Sequence, residues 1–61
     1  MKTFRVESYS GWFLVKAKNK RAAKSEGVKE YGRGRVTGVF VATDSDIKYF
    51  LAVKGEIGET P

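Results

Sequence analysis

Trp12-Phe13-Leu14-Val15-Lys16-Ala17-Lys18-Asn19-Lys20-Arg21-Ala22-Ala23-Lys24-Ser25-Glu26-Gly27-Val28-Lys29-Glu30-Tyr31 changes its period in the middle. Up to Ala17 the residues alternate. Phe13, Val15 and Ala17 share one face, and Trp12, Leu14 and Lys16 share the other, which is the period of a strand. Beyond Asn19 the period lengthens. Ala23, Gly27, Val28 and Tyr31 recur at helical spacing and mark one buried stripe on a helix over Lys20–Tyr31. The Asn19 side chain can accept a bond from an orphan N–H of the first turn, so it is the expected N-cap. Gly32 stands where a left-handed C-cap belongs. Gly27 costs about 1 kcal/mol in mid-helix relative to Ala. Close approach of the helix to a sheet is the expected reason.

The remaining elements follow outward from this pair. Thr3 to Tyr9 alternates as a strand, with Phe4 and Val6 opposite Arg5 and Glu7. Ser10-Gly11 is a turn signal, and so short a connection predicts an antiparallel hairpin. Arg35 to Ala42 reads as a third strand, with Val36, Phe40 and Ala42 opposite Thr37, Val39 and Val41. Thr43-Asp44-Ser45-Asp46 reads as a helix start, capped by Thr43 or Asp44, with acidic residues in the first turn. Ile47, Phe50, Leu51 and Lys54 then form a helical stripe closed by Gly55. The alternative is a fourth strand in which Ile47, Tyr49, Leu51 and Val53 alternate. The expected fold is α+β, in the order β-β-α-β-α: a three-stranded antiparallel sheet with one packed helix. Residues 1–55 form a single domain and 56–61 a flexible tail.

A chain of 61 residues has room for one core and buries only about 60% of its unfolded surface. Small domains of this kind usually add a staple, either a disulfide, a metal or a partner subunit. One Trp, three Tyr and four Phe argue for a packed core rather than a disordered segment. There is no Cys and no His. Disulfides are therefore excluded, and a structural zinc site loses its usual ligands. Neither a Ser–His nor a Cys–His pair can be built. Asp44 and Asp46 are the nearest thing to paired carboxylates, and helix capping accounts for them more simply. The expectation is a protein that is not an enzyme, with no catalytic residues, no cofactor and no metal. No apolar leader and no bilayer-length apolar stretch is visible, which predicts a cytoplasmic location.

Two surfaces invite partners. The first is basic. Lys16, Lys18, Lys20, Arg21, Lys24, Lys29, Arg33 and Arg35 are opposed in their stretch only by Glu26 and Glu30, so it holds more positive charge than the whole chain's +5. Lys16, Lys18, Lys20, Arg21, Lys24, Arg33 and Arg35 are the candidates for an anionic partner, nucleic acid above all. Gly32-Arg33-Gly34-Arg35 follows a helix and leads into a strand, the reverse of a phosphate loop. The second surface is apolar. Trp12 and Leu14 fall on the sheet face away from the long helix, the third strand is apolar on both sides with Phe40 as the third candidate, and a sheet with two apolar faces needs two covers. Either the last helix folds back over the second face, or a protein partner or a second copy of the chain does. Trp12, Phe40 and Tyr9, beside Lys16, Arg5 and Arg35, would also suit a stacking platform for single-stranded nucleic acid.

Phe4-Arg5-Val6, Phe13-Leu14-Val15-Lys16-Ala17-Lys18-Asn19, Ala22-Ala23 and Tyr31-Gly32 together resemble the small DpnD/PcfM-like proteins. Similar short proteins of phages and mobile elements share a hairpin ending in this pattern and an alanine-bearing helix. The segment from Ala42-Thr43-Asp44-Ser45-Asp46-Ile47 through Lys54-Gly55 also resembles the end of short prophage proteins. Gly27 departs from the usual small-plus-Ala helix face. The resemblance implies a fold and carries over no site residues. It also implies a function class: a small non-enzymatic phage accessory protein, often a homodimer, that inhibits a host or defence protein by binding it. A basic nucleic-acid-binding module is the rival expectation.

Overall fold

A computed structural model of the chain describes residues 1–60. Its elements run β1 (Lys2–Ser8), β2 (Trp12–Ala17), α1 (Lys20–Tyr31), β3 (Val36–Val41), α2 (Asp44–Lys54) and β4 (Gly58–Glu59). The α+β class and the β-β-α-β-α order hold, and the segment after Thr43 is the helix rather than the alternating strand.

The hairpin forms as its turn chemistry dictates. β1 and β2 pair antiparallel from Lys2↔Ala17 to Glu7↔Trp12. The Ser8 hydroxyl accepts from the Ser10 and Gly11 amides at 3.2 and 3.1 Å, and the Ser8 amide donates to the Gly11 carbonyl at 2.7 Å. β3 lies antiparallel on the other side of β1. The sheet, however, has four strands in the order β3-β1-β2-β4. β4 pairs parallel with β2, Val15↔Gly58 and Lys16↔Glu59, and the Thr60 amide donates to the Lys16 carbonyl at 2.9 Å. The expected flexible tail over 56–61 is therefore partly a strand. Its unpaired backbone groups are satisfied by the free edge of β2, as backbone polar groups require. Pro61, the end of that tail, lies outside the described residues.

α1 packs on one sheet face and builds the core. Phe4, Val6, Val15, Ala17 and Ala23 are buried together, with Phe13, Val36 and Val39 against them. Gly27 is there for the reason its position suggested. A Cβ on it would lie 2.6 Å from Val6 Cγ1 and 2.9 Å from Val36 Cγ2, so only glycine allows the helix axis this close to the sheet. Asn19 caps the helix, its side chain accepting from the Ala22 amide at 2.9 Å. Gly32 has a positive φ of 103° but an extended ψ of 160°, so it leads directly toward the next strand instead of forming a left-handed cap. The expected buried stripe is narrower than its four residues. Ala23 and Gly27 are buried, Tyr31 is half-buried against the Phe13 ring at 5.6 Å, and Val28 turns toward the outer side of the helix.

Strict alternation along the third strand also fails at one place. Glu7 faces Gly38 while Ser8 faces Val36. Thr37 is thus the extra residue of a bulge, which shifts every side chain before it to the other face. Val36 consequently joins Val39 against α1 instead of sharing the Phe40 side.

α2 covers part of the second face. Thr43 is its N-cap in a full capping box: its hydroxyl accepts from the Asp46 amide at 3.1 Å, and Asp46 Oδ2 accepts from the Thr43 amide at 3.0 Å. The helix ends on Gly55 in the left-handed region, φ 88°. Only Phe50 of this helix is buried, at 9% exposure, whereas Leu51 of the expected inner stripe stays 43% exposed.

Candidate functional site

The apolar sheet face is closed within the chain on its β2 side. Leu14 is 1% exposed. Trp12 is half-buried, with its ring 5.8 Å from Phe50 and 6.0 Å from Tyr49. The Arg5 guanidinium lies over the Trp12 ring at 4.3 Å, close enough for cation–π attraction. Of the three residues expected to meet a partner, Leu14 is therefore inaccessible, Trp12 is shared between α2 and Arg5, and only Phe40 is open, at 51% exposure. The stacking platform fails for the same reason. The Trp12 rings already have neighbours, and Tyr9 sits apart in the hairpin turn.

Arg5 is the residue that sequence reasoning undervalued. It stands between Phe4 and Val6, so the period of two puts it on the α2 face. There it links three elements: its Nη1 donates to Asp46 Oδ1 of α2 at 3.0 Å, its plane covers Trp12 of β2, and its Nε lies 2.9 Å from Glu7 Oε2. The Nε–Glu7 contact is Coulombic, because the N–H is not aligned for a hydrogen bond. Asp46 thus caps its own helix and ties that helix to the sheet.

The Asp46 carboxyl is held below the usual aspartate range. The largest cause is the hydrogen bond from the Thr43 amide. Partial desolvation opposes it, and the Thr43 hydroxyl and the Arg5 charge add to it. A carboxylate whose pKa is depressed by folding stabilises the fold above its unfolded value of about 3.9 and loses that contribution as pH falls through the lower folded value. Asp46→Asn is therefore expected to be less stable than the parent at pH 7, with the gap between the two closing below about pH 3.9. Urea melts of both proteins at pH 7, 4 and 2.5 measure this, and a gap independent of pH would refute it.

The basic residues are placed as a surface. Lys16, Lys18, Lys20, Arg21, Lys24, Lys29, Arg33 and Arg35 are all exposed. Among the described residues, Lys29 alone of these has an ion-pair partner, Glu26 at 3.1 Å. Arg21, Lys24, Lys29 and Arg33 border one open depression of about 470 Å³ on the outer side of α1, with Ser25 and Val28 in its floor. Lys18 and Lys20 flank the start of the helix. Arg35 follows its end. Lys16 lies apart from them, on the sheet face opposite α1.

A second groove, of about 510 Å³, runs along the outer edge of β2 and was not foreseen. Glu26, Glu30, Glu56 and Glu59 line it, and Lys54 is the basic residue of the lining among the described residues. Glu56 and Glu59 belong to the segment read as a tail, so no sequence signal placed them beside α1. Among the described residues no group of three or more His, Cys, Asp or Glu side chains is disposed to hold a metal ion. No helix among them is long and apolar enough to cross a membrane. No protein-family model matches the chain. No curated protein matches it, and no solved structure does.

Proposed function

We propose that the protein is a non-enzymatic binding module that holds an anionic partner, a nucleic acid, on the outer side of α1. The observation that carries this reading is the row Arg21, Lys24, Lys29 and Arg33 around one open depression, with three of those four cations without an ion-pair partner among the described residues. Lys18, Lys20 and Arg35 extend the row past both ends of the helix. Cations spaced along one exposed face neutralise successive phosphates and release counterions, a contact that tracks the backbone and reads no sequence.

Four such contacts give a salt slope near −3.6 on duplex DNA, so affinity is expected to fall by about a hundredfold between 50 and 200 mM salt. Titrating labelled single- and double-stranded DNA and RNA at both salts measures it. Arg21→Glu/Lys24→Glu is expected to remove binding at 50 mM while leaving the thermal melt nearly unchanged, since both side chains are exposed. Absence of binding at 50 mM salt to all four probes would refute the proposal.

A protein partner is the second reading, carried by the exposed apolar residues Phe40, Val41, Tyr49, Leu51 and Val53. The role of phage accessory protein inhibiting a host or defence protein attaches to this reading, through the DpnD/PcfM-like resemblance. A protein recovered from host lysate on the immobilised chain after nuclease treatment, and lost with Phe40→Lys, supports it.

A further inference from the structure

We propose that two copies of the chain pair antiparallel through the outer edges of their β3 strands, making one continuous eight-stranded sheet. β3 is the end strand of the sheet, so among the described residues one side of its backbone has no strand beside it. Val36-Thr37-Gly38-Val39-Phe40-Val41 contains no charge and no proline, the devices that normally protect an edge. Thr37 supplies the one irregularity, and the run from Gly38 to Val41 pairs regularly with β1.

The register of β1 and β3 shows which groups face outward. The Ala42 amide donates to the Thr3 carbonyl at 3.0 Å, and hydrogen-bonded pairs alternate along an antiparallel ladder. Ala42, Phe40 and Gly38 therefore point their backbone groups at β1. Val39 and Val41 point theirs away from it, into solvent. A two-fold axis at Val39 would pair Val39 with Val39 of the second copy through both of their amides and carbonyls. The same axis sets Phe40 of each copy opposite Gly38 of the other. Phe40 is half exposed, and its ring already lies over its own Gly38, where a Cβ would meet it at 2.6 Å. The two glycines leave room for the two rings to lie side by side across the axis.

Charge selects this occupant. The N-terminal flank of β3 is basic, with Arg33 and Arg35, and the C-terminal flank begins with Asp44, all three exposed. Antiparallel self-pairing lays each basic flank beside the other copy's acidic one, twice. Parallel pairing would oppose like charges. The two-fold axis stands perpendicular to the sheet, so both α1 helices and their cations would lie on the same side. The dimer does not depend on what those cations bind.

Sedimentation equilibrium of the full chain from 5 µM to 500 µM is expected to show a monomer–dimer equilibrium. Phe40→Lys and, separately, Arg35→Asp are expected to weaken it at least tenfold, and Arg35→Asp combined with Asp44→Arg to restore it. Both single changes are at exposed positions. Amide exchange gives an independent readout: the Val39 and Val41 protons are expected to slow with rising concentration while those of Val15 do not change. A strict monomer at 500 µM overturns the proposal, as does a dimer that Phe40→Lys leaves intact.

Discussion

Gly27→Leu is expected to prevent folding, and Gly27→Ala to destabilise the protein even though alanine is the better helix former. The helix-propensity gain of Gly→Ala is about 1 kcal/mol. Against it stands a Cβ 2.6 Å from Val6 Cγ1 and 2.9 Å from Val36 Cγ2. Val6 is fully buried and cannot swing aside, so α1 must lift from the sheet and open the contacts of Ala23, Val15 and Ala17 beneath it. Overpacking of this kind costs about 1–3 kcal/mol for one or two added carbons, and a leucine adds four. The whole fold is worth only about 3–9 kcal/mol at this length. Urea denaturation measures the series. Val6→Ala placed in the Gly27→Ala background removes the obstructing methyl, so the pair is expected to be less damaging than the sum of the singles, as coupled neighbours are. A Gly27→Ala protein more stable than the parent would contradict this account of the glycine.

Phe50→Ala is expected to cost about 3 kcal/mol, the low end for truncating a buried aromatic ring, because Phe50 retains some exposure. Its structural effect is more specific than its size. Phe50 is the one buried side chain of α2, and the Arg5–Asp46 pair and the Tyr49–Trp12 ring contact are further ties of the helix to the sheet. Without the ring, α2 should open as a unit while β1, β2 and β3 stay paired on α1, because local stability follows local burial. Leu14 would then be exposed, and Trp12 would lose the neighbour at 5.8 Å. The single Trp makes fluorescence a clean probe. A red shift of its emission at neutral pH, with faster amide exchange over Asp44–Lys54 and slow exchange retained in β1 and β2, is the expected result. Unchanged emission and uniform exchange would show that α2 is not held in this way.

These two residues mark how far the sequence could be read. The cost of Gly27 in a helix was visible, and so was the explanation by close approach, because a glycine among good helix formers conflicts with its local context. Phe50 was visible as part of a helical stripe, but that stripe also included Leu51, which the structure leaves exposed. α2 rests on the sheet through a narrow contact, and the width of a contact is set by the partner surface. The same limit governed the candidate binding residues. Period two placed Trp12 and Leu14 on the face away from α1, but it left the face of Phe40 undecided because the third strand is apolar on both sides. It could not show that α2 would cover the β2 half of that face and leave Phe40 open.

The sequence by itself determined two hairpin strands, a capped helix and a third strand, and it offered a helix start at Thr43–Asp46 beside a strand alternative. It also determined that the chain offers no thiol and no imidazole. These properties are local. Side-chain period, capping hydrogen bonds and composition act within a few residues, so they are present in the order of the residues. Only the tertiary structure decided the bulge at Thr37, the parallel pairing of Gly58 and Glu59 with β2, and the ring of contacts Arg5 makes with Trp12, Glu7 and Asp46. Each of these joins or aligns segments distant in the chain, and its free energy depends on surfaces that exist only once the sheet has formed. The basic row belongs to both. Its charges stand in the sequence, and the packing of Ala23 and Gly27 against the sheet turns four of them to one side.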